Sequence, residues 1–138
     1  MEQDQVRFAH RLIDGGAGLI YGHSSHHPRP LEVYRGRLVL YGCGDAINDY
    51  EGITGYEQFR GDLRLLYFAS LVAETGALAA LRIVPMQARR MRLHHASAAD
   101  GQWMQAVLER ASHRFGSRIS HQPDGTLILR PPPGDHAR

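Results

Sequence analysis

Apolar residues recur at helical spacing in two stretches of the chain. In residues 6–14 they follow one face of a helix, and the glycine pair that comes next is typical of a helix end. In residues 98–114 they form a second helical stripe, and Ser97 and Asp100 have the spacing of a capping box at its start. The pattern therefore predicts two α-helices.

Between the two helices the apolar residues occur in short runs, which is typical of β-strands. Residues 18–21, 31–34 and 38–41 are three such runs, bounded by glycines, prolines and charged side chains. The Arg-Gly-Arg sequence between the second run and the third predicts a tight hairpin. The first run is interpreted as a buried strand, and its parallel partners are expected to come from residues outside this chain.

Two further hairpins are predicted in the rest of the chain. Residues 63–71 and 77–86 are apolar on both faces, which indicates interior strands, and Pro85 is expected to end or interrupt the second of them. Residues 118–121 and 126–129 flank a Pro-Asp-Gly turn and form the last pair. These strands and the two helices together indicate an α/β (α+β) fold with a mixed sheet.

The strand predicted at 18–21 leads into a loop that carries three histidines. Loops at the carboxyl ends of strands hold the ligands in open α/β sheets. His23 and His26 are three residues apart, and two nearby prolines restrict the loop, so both imidazoles can face one metal ion. Histidines on a loop are also often simply solvated. The spacing by itself leaves both interpretations open.

A long second loop follows the first hairpin, at residues 42–61. Loops of this length are usually lids, binding segments or disordered. It holds the single cysteine, Cys43, with a glycine on either side, so a loop histidine could activate the thiol as a nucleophile. The competing interpretation is a small buried residue at a strand end. That interpretation is favoured, because free cysteines are usually packed.

The composition is that of one globular domain. The chain has 138 residues, 43% of them hydrophobic, which predicts one domain at most, with residues 1–130 as its folded part and a flexible, proline-rich tail at 131–138. No apolar run reaches the length of a membrane helix and no signal peptide is visible in this chain. The location is left unknown, and the absence of a signal is the one indication of the cytoplasm. A formal net charge of +2 is too small to favour nucleic acid as a partner.

The order and separation of several motifs resemble a known family. The motifs are GHSSHHP at 22–28, PLEVYRG at 30–36, LYGCGD at 40–45 and NDYEG at 48–52. They resemble the CapA family, the poly-gamma-glutamate capsule biosynthesis proteins, whose fold is similar to the calcineurin-like metallophosphatases. The resemblance implies the C-terminal half of a four-layer α/β/β/α sandwich. The front half of the family, which carries further metal-binding residues, has no counterpart in this chain and is expected in a separate or upstream segment.

The resemblance also implies a set of site residues and a cofactor. The site residues are His23 and His26 as metal ligands, His27 and Asp45 in catalysis, and Glu32, Arg29 and Asn48 near the substrate. The implied cofactor is a divalent metal ion, namely manganese, iron or zinc. The family commonly has asparagine and phenylalanine where this chain has Asp45 and Ala46, which leaves the role of Asp45 open.

Two functions follow from the resemblance and both are kept. One is a metal-dependent hydrolase, phosphoesterase-like, whose site is incomplete in this chain. The other is a truncated, non-catalytic remnant of such a domain.

The implied partners are an acidic polymer or a phosphorylated small molecule. The arginine-rich stretch at 89–92 is a secondary candidate for the same ligands, because arginine side chains bind carboxylates and phosphates in a bidentate manner.

Overall fold

A computed structural model describes residues 2–23, 26–46 and 60–130. The elements in chain order are α1 (Gln3–Asp14), β1 (Leu19–Tyr21), β2 (Leu31–Tyr34), β3 (Arg37–Leu40), β4 (Leu63–Leu71), β5 (Leu78–Arg89), β6 (Arg92–His95), α2 (Ala98–Ser112), β7 (Arg118–His121) and β8 (Leu127–Arg130). The predicted α+β class, with two α-helices, hairpins and a mixed sheet, is confirmed. The predicted tail at 131–138 lies outside the described residues.

The first sheet has three strands in the order β1-β3-β2. β1 runs parallel to β3, and β2 runs antiparallel to it, so the sheet is mixed. The prediction that the parallel partner of β1 lies outside this chain is therefore wrong. The prediction of a buried strand is also wrong, because β1 forms the edge of the sheet and Leu19 and Tyr21 are 37% and 61% exposed.

The second sheet has the order β4-β5-β8-β7, and β6 also pairs with β5. β4 is an edge strand and not an interior one, and Phe68 near its middle is 50% exposed. β5 continues past Pro85 to Arg89. Pro85 lies in the gap between the part of β5 that pairs with β8 and the part that pairs with β6, so its missing N–H removes no hydrogen bond to either strand. Its carbonyl oxygen accepts a hydrogen bond from Ala96 N at 3.2 Å.

One apolar core joins the facing sides of the two sheets. Its buried members are Leu31, Val33, Leu38, Leu40, Cys43, Leu63, Leu65, Leu81, Ile83, Met104, Leu108, Ile119, Leu127 and Leu129. α2 contributes two of them, so it packs against the same side of the second sheet. On the other face of the first sheet, Ala9 and Ile13 of α1 pack against Val39 of β3.

α2 begins and ends as the sequence predicts. Ser97 Oγ accepts a hydrogen bond from Asp100 N at 3.1 Å, which completes the predicted cap. A short 3₁₀ turn extends the helix, and Gly116 closes it in the left-handed conformation at φ 70°. Within the described parts of the chain, neither helix has the length and apolarity needed to cross a membrane.

Candidate functional site

The loops that follow β1 and β3 lie side by side. Because these two strands are parallel neighbours, their carboxyl ends meet at the same edge of the sheet. Backbone bonds then join the two loops, from Gly22 N to Leu40 O at 2.7 Å and from Arg29 N to Gly42 O at 2.8 Å. An isolated bridge between Pro28 and Cys43 adds a further link. The histidine loop is therefore held against the loop that carries Asp45.

Two glycines allow this close approach. A β-carbon on Gly22 would lie 2.4 Å from the carbonyl oxygen of Tyr41, a distance that two such atoms cannot adopt. Gly44 has φ 71°, which glycine adopts at little cost, and a β-carbon there would lie 3.3 Å from backbone atoms of His27 and Pro28. The two glycines therefore set the position of the loops that carry the candidate side chains.

The structure brings His26 and Asp45 together. His26 Nδ1 lies 3.0 Å from Asp45 Oδ2, although the two residues are 19 positions apart in the sequence. The side chain of His26 is 52% exposed and that of Asp45 is 27% exposed, so the pair is open to a ligand from solvent. The predicted metal ligand His26 and the predicted catalytic residue Asp45 are thus neighbours across the two loops.

His27 is half-buried beside this pair. Burial lowers the pKa of its imidazole, and the positive charges of Arg29 and His26 lower it further. The side chain is therefore neutral at neutral pH and can accept a proton. The guanidinium of Arg29 lies 3.4 Å from Gln5 Oε1 on α1.

A complete set of metal ligands is not gathered by the described residues. No group of three or more histidine, cysteine, aspartate or glutamate side chains suited to a metal ion occurs among residues 2–23, 26–46 and 60–130. His23 lies two residues after the end of β1 and is exposed. Asn48 lies outside the described residues. The described donor set for an ion at these loops is thus the imidazole of His26 and the carboxylate of Asp45.

Glu32 is buried in a network below α1. Its carboxylate lies 2.8 Å from His10 Nε2 and accepts a hydrogen bond from the hydroxyl of Tyr41 at 2.6 Å. The ring of His10 stacks on Tyr34 with centroids 3.7 Å apart. Burial and the bond to Glu32 raise the pKa of Tyr41, which keeps the hydroxyl protonated as a donor. These partners tie α1 to β2 and to the loop after β3.

Sequence reasoning missed His10 and Tyr41 as partners of Glu32. His10 precedes Glu32 by 22 residues, and no local spacing connects them. The sequence does hold one signal, because Glu32 lies between two apolar residues in a short strand. A carboxylate that is buried in this way requires hydrogen-bonding partners from elsewhere in the chain.

The thiol of Cys43 should react slowly with alkylating reagents at pH 8. The residue is 8% exposed, and burial raises the pKa of its thiol to about 11, so little thiolate forms. We expect iodoacetamide to modify the folded chain at least about tenfold more slowly than the unfolded chain. Mass spectrometry after timed quenching measures both rates. Equal rates would restore the nucleophile interpretation.

Comparisons with known proteins agree with the motifs. The family described as "Bacterial capsule synthesis protein PGA_cap" matches residues 1–50, which include both loops up to Asp45. A probable polyglutamine synthesis accessory protein of Mycobacterium tuberculosis, found in two strains, is 52% identical over 126 residues, which are 91% of this chain and 33% of that protein. The PGA biosynthesis protein CapA of Bacillus subtilis is 38% identical over 45 residues, which are 33% of this chain and 12% of that protein. The chain thus spans about a third of the length of its mycobacterial relatives, and its residues 1–50 are similar to the family of bacterial capsule synthesis proteins.

Proposed function

We propose that this chain acts in polyglutamate or capsule synthesis as the C-terminal part of a CapA-type protein, and that His23, His26 and Asp45 bind a divalent metal ion there. The observation that supports the proposal is the contact of His26 with Asp45 across the two loops. The names of the relatives support the process, since they refer to polyglutamine synthesis and PGA biosynthesis.

The geometry of His26 and Asp45 fits two ligands of one ion. Two donor atoms that each lie about 2.1 Å from a metal are about 3.0 to 3.4 Å apart in octahedral or tetrahedral coordination. The measured separation between the imidazole nitrogen and the carboxylate oxygen is 3.0 Å. Imidazole and carboxylate are ligands that suit manganese, iron and zinc. His23, two residues after the end of β1, is the third donor that the sequence predicts, although the described residues do not gather it with the other two.

His27 and Arg29 are proposed to handle the proton and the negative charge of the substrate. The neutral imidazole of His27 can accept a proton from water or from a substrate hydroxyl. The guanidinium of Arg29 can hold a phosphate or carboxylate group at the same loop. The metal ion, when bound, supplies a Lewis acid that polarises such a group. The reaction class proposed is hydrolysis of a phosphoester-like bond.

A non-catalytic role is the second candidate. It is favoured by the absence of a group of three potential metal ligands among the residues that the structure describes. In that case the contact of His26 with Asp45 is structural, and it only fixes one loop on the other. Metal binding separates the two candidates.

We expect the chain to bind Mn²⁺, Fe²⁺ or Zn²⁺, and to lose most of this affinity on the double substitution His23→Ala/His26→Ala. The loss should be at least about tenfold, because each removed imidazole takes one coordination bond with it. Asp45→Asn should weaken binding as well, since it removes the negative charge. Isothermal titration calorimetry with each ion, under anaerobic conditions for Fe²⁺, measures the affinities.

The matched control removes two histidines elsewhere. His95 and His113 are exposed and lie on β6 and at the end of α2. The substitution His95→Ala/His113→Ala should leave the affinity unchanged within about twofold. Equal binding by the wild-type chain and the His23→Ala/His26→Ala variant would exclude the metal site in this chain and leave the non-catalytic role.

A further inference from the structure

The turn between β5 and β6 is a tight hairpin with an unusual sequence. Its two central residues, Arg90 and Met91, both have left-handed backbones, with φ 49° and 62°. Turns of this shape favour Asn-Gly, because left-handed φ is costly for other side chains. The hairpin between β2 and β3 has the same shape at Arg35, but there a glycine, Gly36, takes the second position. The β5–β6 turn thus keeps two long side chains at its tip where glycine would be less strained.

The hairpin concentrates positive charge on one surface. Arg89 and Arg92 are direct partners across the two strands, and His94 follows Arg92 on the same side of β6. Together with Arg90 they line an open cleft of about 470 Å³. A cleft of this volume is within the range of ligand sites.

Arg35 and Arg60, elsewhere on the described surface, have acidic partners. Arg35 pairs with Asp14 at 3.0 Å, and Arg60 pairs with Asp62 and Asp100 at 3.0 and 3.1 Å. Among the described residues, no carboxylate forms an ion pair with Arg89 or Arg92. An anion from outside would therefore relieve the repulsion between two facing guanidinium groups.

The base of the hairpin is firmly held. Ala88 N donates to the carbonyl oxygen of Asp62 at 2.7 Å, and Gln87 Nε2 donates to Asp62 Oδ2 at 2.9 Å. The bonds from Arg60 lower the pKa of Asp62, so its carboxylate stays charged and keeps both partners. The arginines above it are attached to a fixed base, which reduces the entropy lost when a ligand binds.

We propose that the cleft formed by Arg89, Arg90, Arg92 and His94 binds the carboxylates of an extended polycarboxylate chain, such as a glutamate polymer. The guanidinium fork matches a carboxylate in two parallel hydrogen bonds, and an open cleft admits a chain that continues on both sides. The inference rests on the proposed function for the identity of the polymer. It makes the hairpin a second site, separate from the histidine loops.

The test measures the affinity of the chain for fluorescently labelled poly-γ-glutamate of defined length by anisotropy. The substitution Arg89→Gln/Arg92→Gln should raise the dissociation constant at least about tenfold, since it removes two charge-assisted contacts. Met91→Gly keeps all three arginines and relaxes the turn, and it should leave the affinity within about twofold of the wild type.

The chain offers a closely matched control for charge. Arg118 and Arg130 also face each other, across β7 and β8, but the turn between those strands carries Asp124 and no arginine. Arg118→Gln/Arg130→Gln removes the same two charges and should change the affinity by no more than about twofold. Equal weakening by both double variants would overturn the proposal, because binding would then follow net charge alone.

Two further results keep this inference separate from the metal site. Poly-γ-glutamate with esterified carboxylates should bind at least about tenfold more weakly than the free polymer, because the esters carry no charge for the guanidinium groups, and equally tight binding would overturn the assignment to carboxylates. The His23→Ala/His26→Ala variant should still bind the polymer with unchanged affinity. A chain that binds metal but shows no loss of polymer affinity on Arg89→Gln/Arg92→Gln would refute the hairpin site and leave the proposed function intact.

Discussion

Replacing Gly22 with alanine should lower the free energy of unfolding by about 3 kcal/mol, because the new methyl group overlaps the backbone. The β-carbon would lie 2.4 Å from the carbonyl oxygen of Tyr41, and this oxygen cannot rotate away as a side chain can. The loop after β1 must then separate from the loop after β3. Urea denaturation followed by circular dichroism measures the loss, and it should be accompanied by weaker metal binding.

Gly18→Ala is the control for this substitution. Gly18 lies just before β1, and a β-carbon there would be 3.4 Å from the α-carbon of Gly76, which is an ordinary contact. We expect a change in the free energy of unfolding below about 1 kcal/mol for Gly18→Ala. If Gly22→Ala were as mild as this control, the close packing of the two loops would be wrong.

Replacing Glu32 with alanine should lower the free energy of unfolding by about 2 kcal/mol. The substitution leaves the hydroxyl of Tyr41 and the imidazole of His10 without their carboxylate partner, and it opens a small space under α1. Glu32→Gln keeps the shape and one acceptor, so its cost should be smaller, about 1 kcal/mol. Thermal and urea denaturation of the three chains give these values.

A double-mutant cycle tests whether this network carries the effect. In a Tyr41→Phe background, Glu32→Ala should cost less than in the wild type, by about 1 kcal/mol, because one of the two bonds is already gone. Glu74→Ala, in the exposed turn between β4 and β5, is the control and should have almost no effect. Strict additivity of Glu32→Ala and Tyr41→Phe would show that the two side chains do not interact, contrary to the structure.

A loss of metal or polymer binding in Glu32→Gln, with stability retained, would instead support the predicted place of Glu32 near the substrate.

The local elements followed from local patterns. The cap of α2 at Ser97, the left-handed Gly116 at its end and the tight turn at Gly36 depend on residues a few positions apart. Such features are determined by backbone sterics and short hydrogen bonds, so the sequence near them is sufficient. The start of α1 at Gln3 is less well predicted, since no capping side chain marks it.

The position of β1 did not follow from its own residues. An apolar run of three residues suits a buried strand and an exposed edge strand equally, and only the pairing with β3 shows which one it is. The same holds for β4, whose apolar residues suggested an interior strand although it forms an edge. Exposed apolar residues such as Tyr21 and Phe68 cannot be told from core residues by type alone.

The sequence by itself determined the α+β class, the helix ends and the tight turns, and its motifs resemble the CapA family and mark the loops that carry His26 and Asp45. Only the tertiary structure decided that β1 and β3 are parallel neighbours, that His26 meets Asp45, and that Glu32 is buried against His10. The physical reason is distance along the chain. Contacts between residues about 20 positions apart depend on how whole strands pair and pack, and no local propensity specifies that choice.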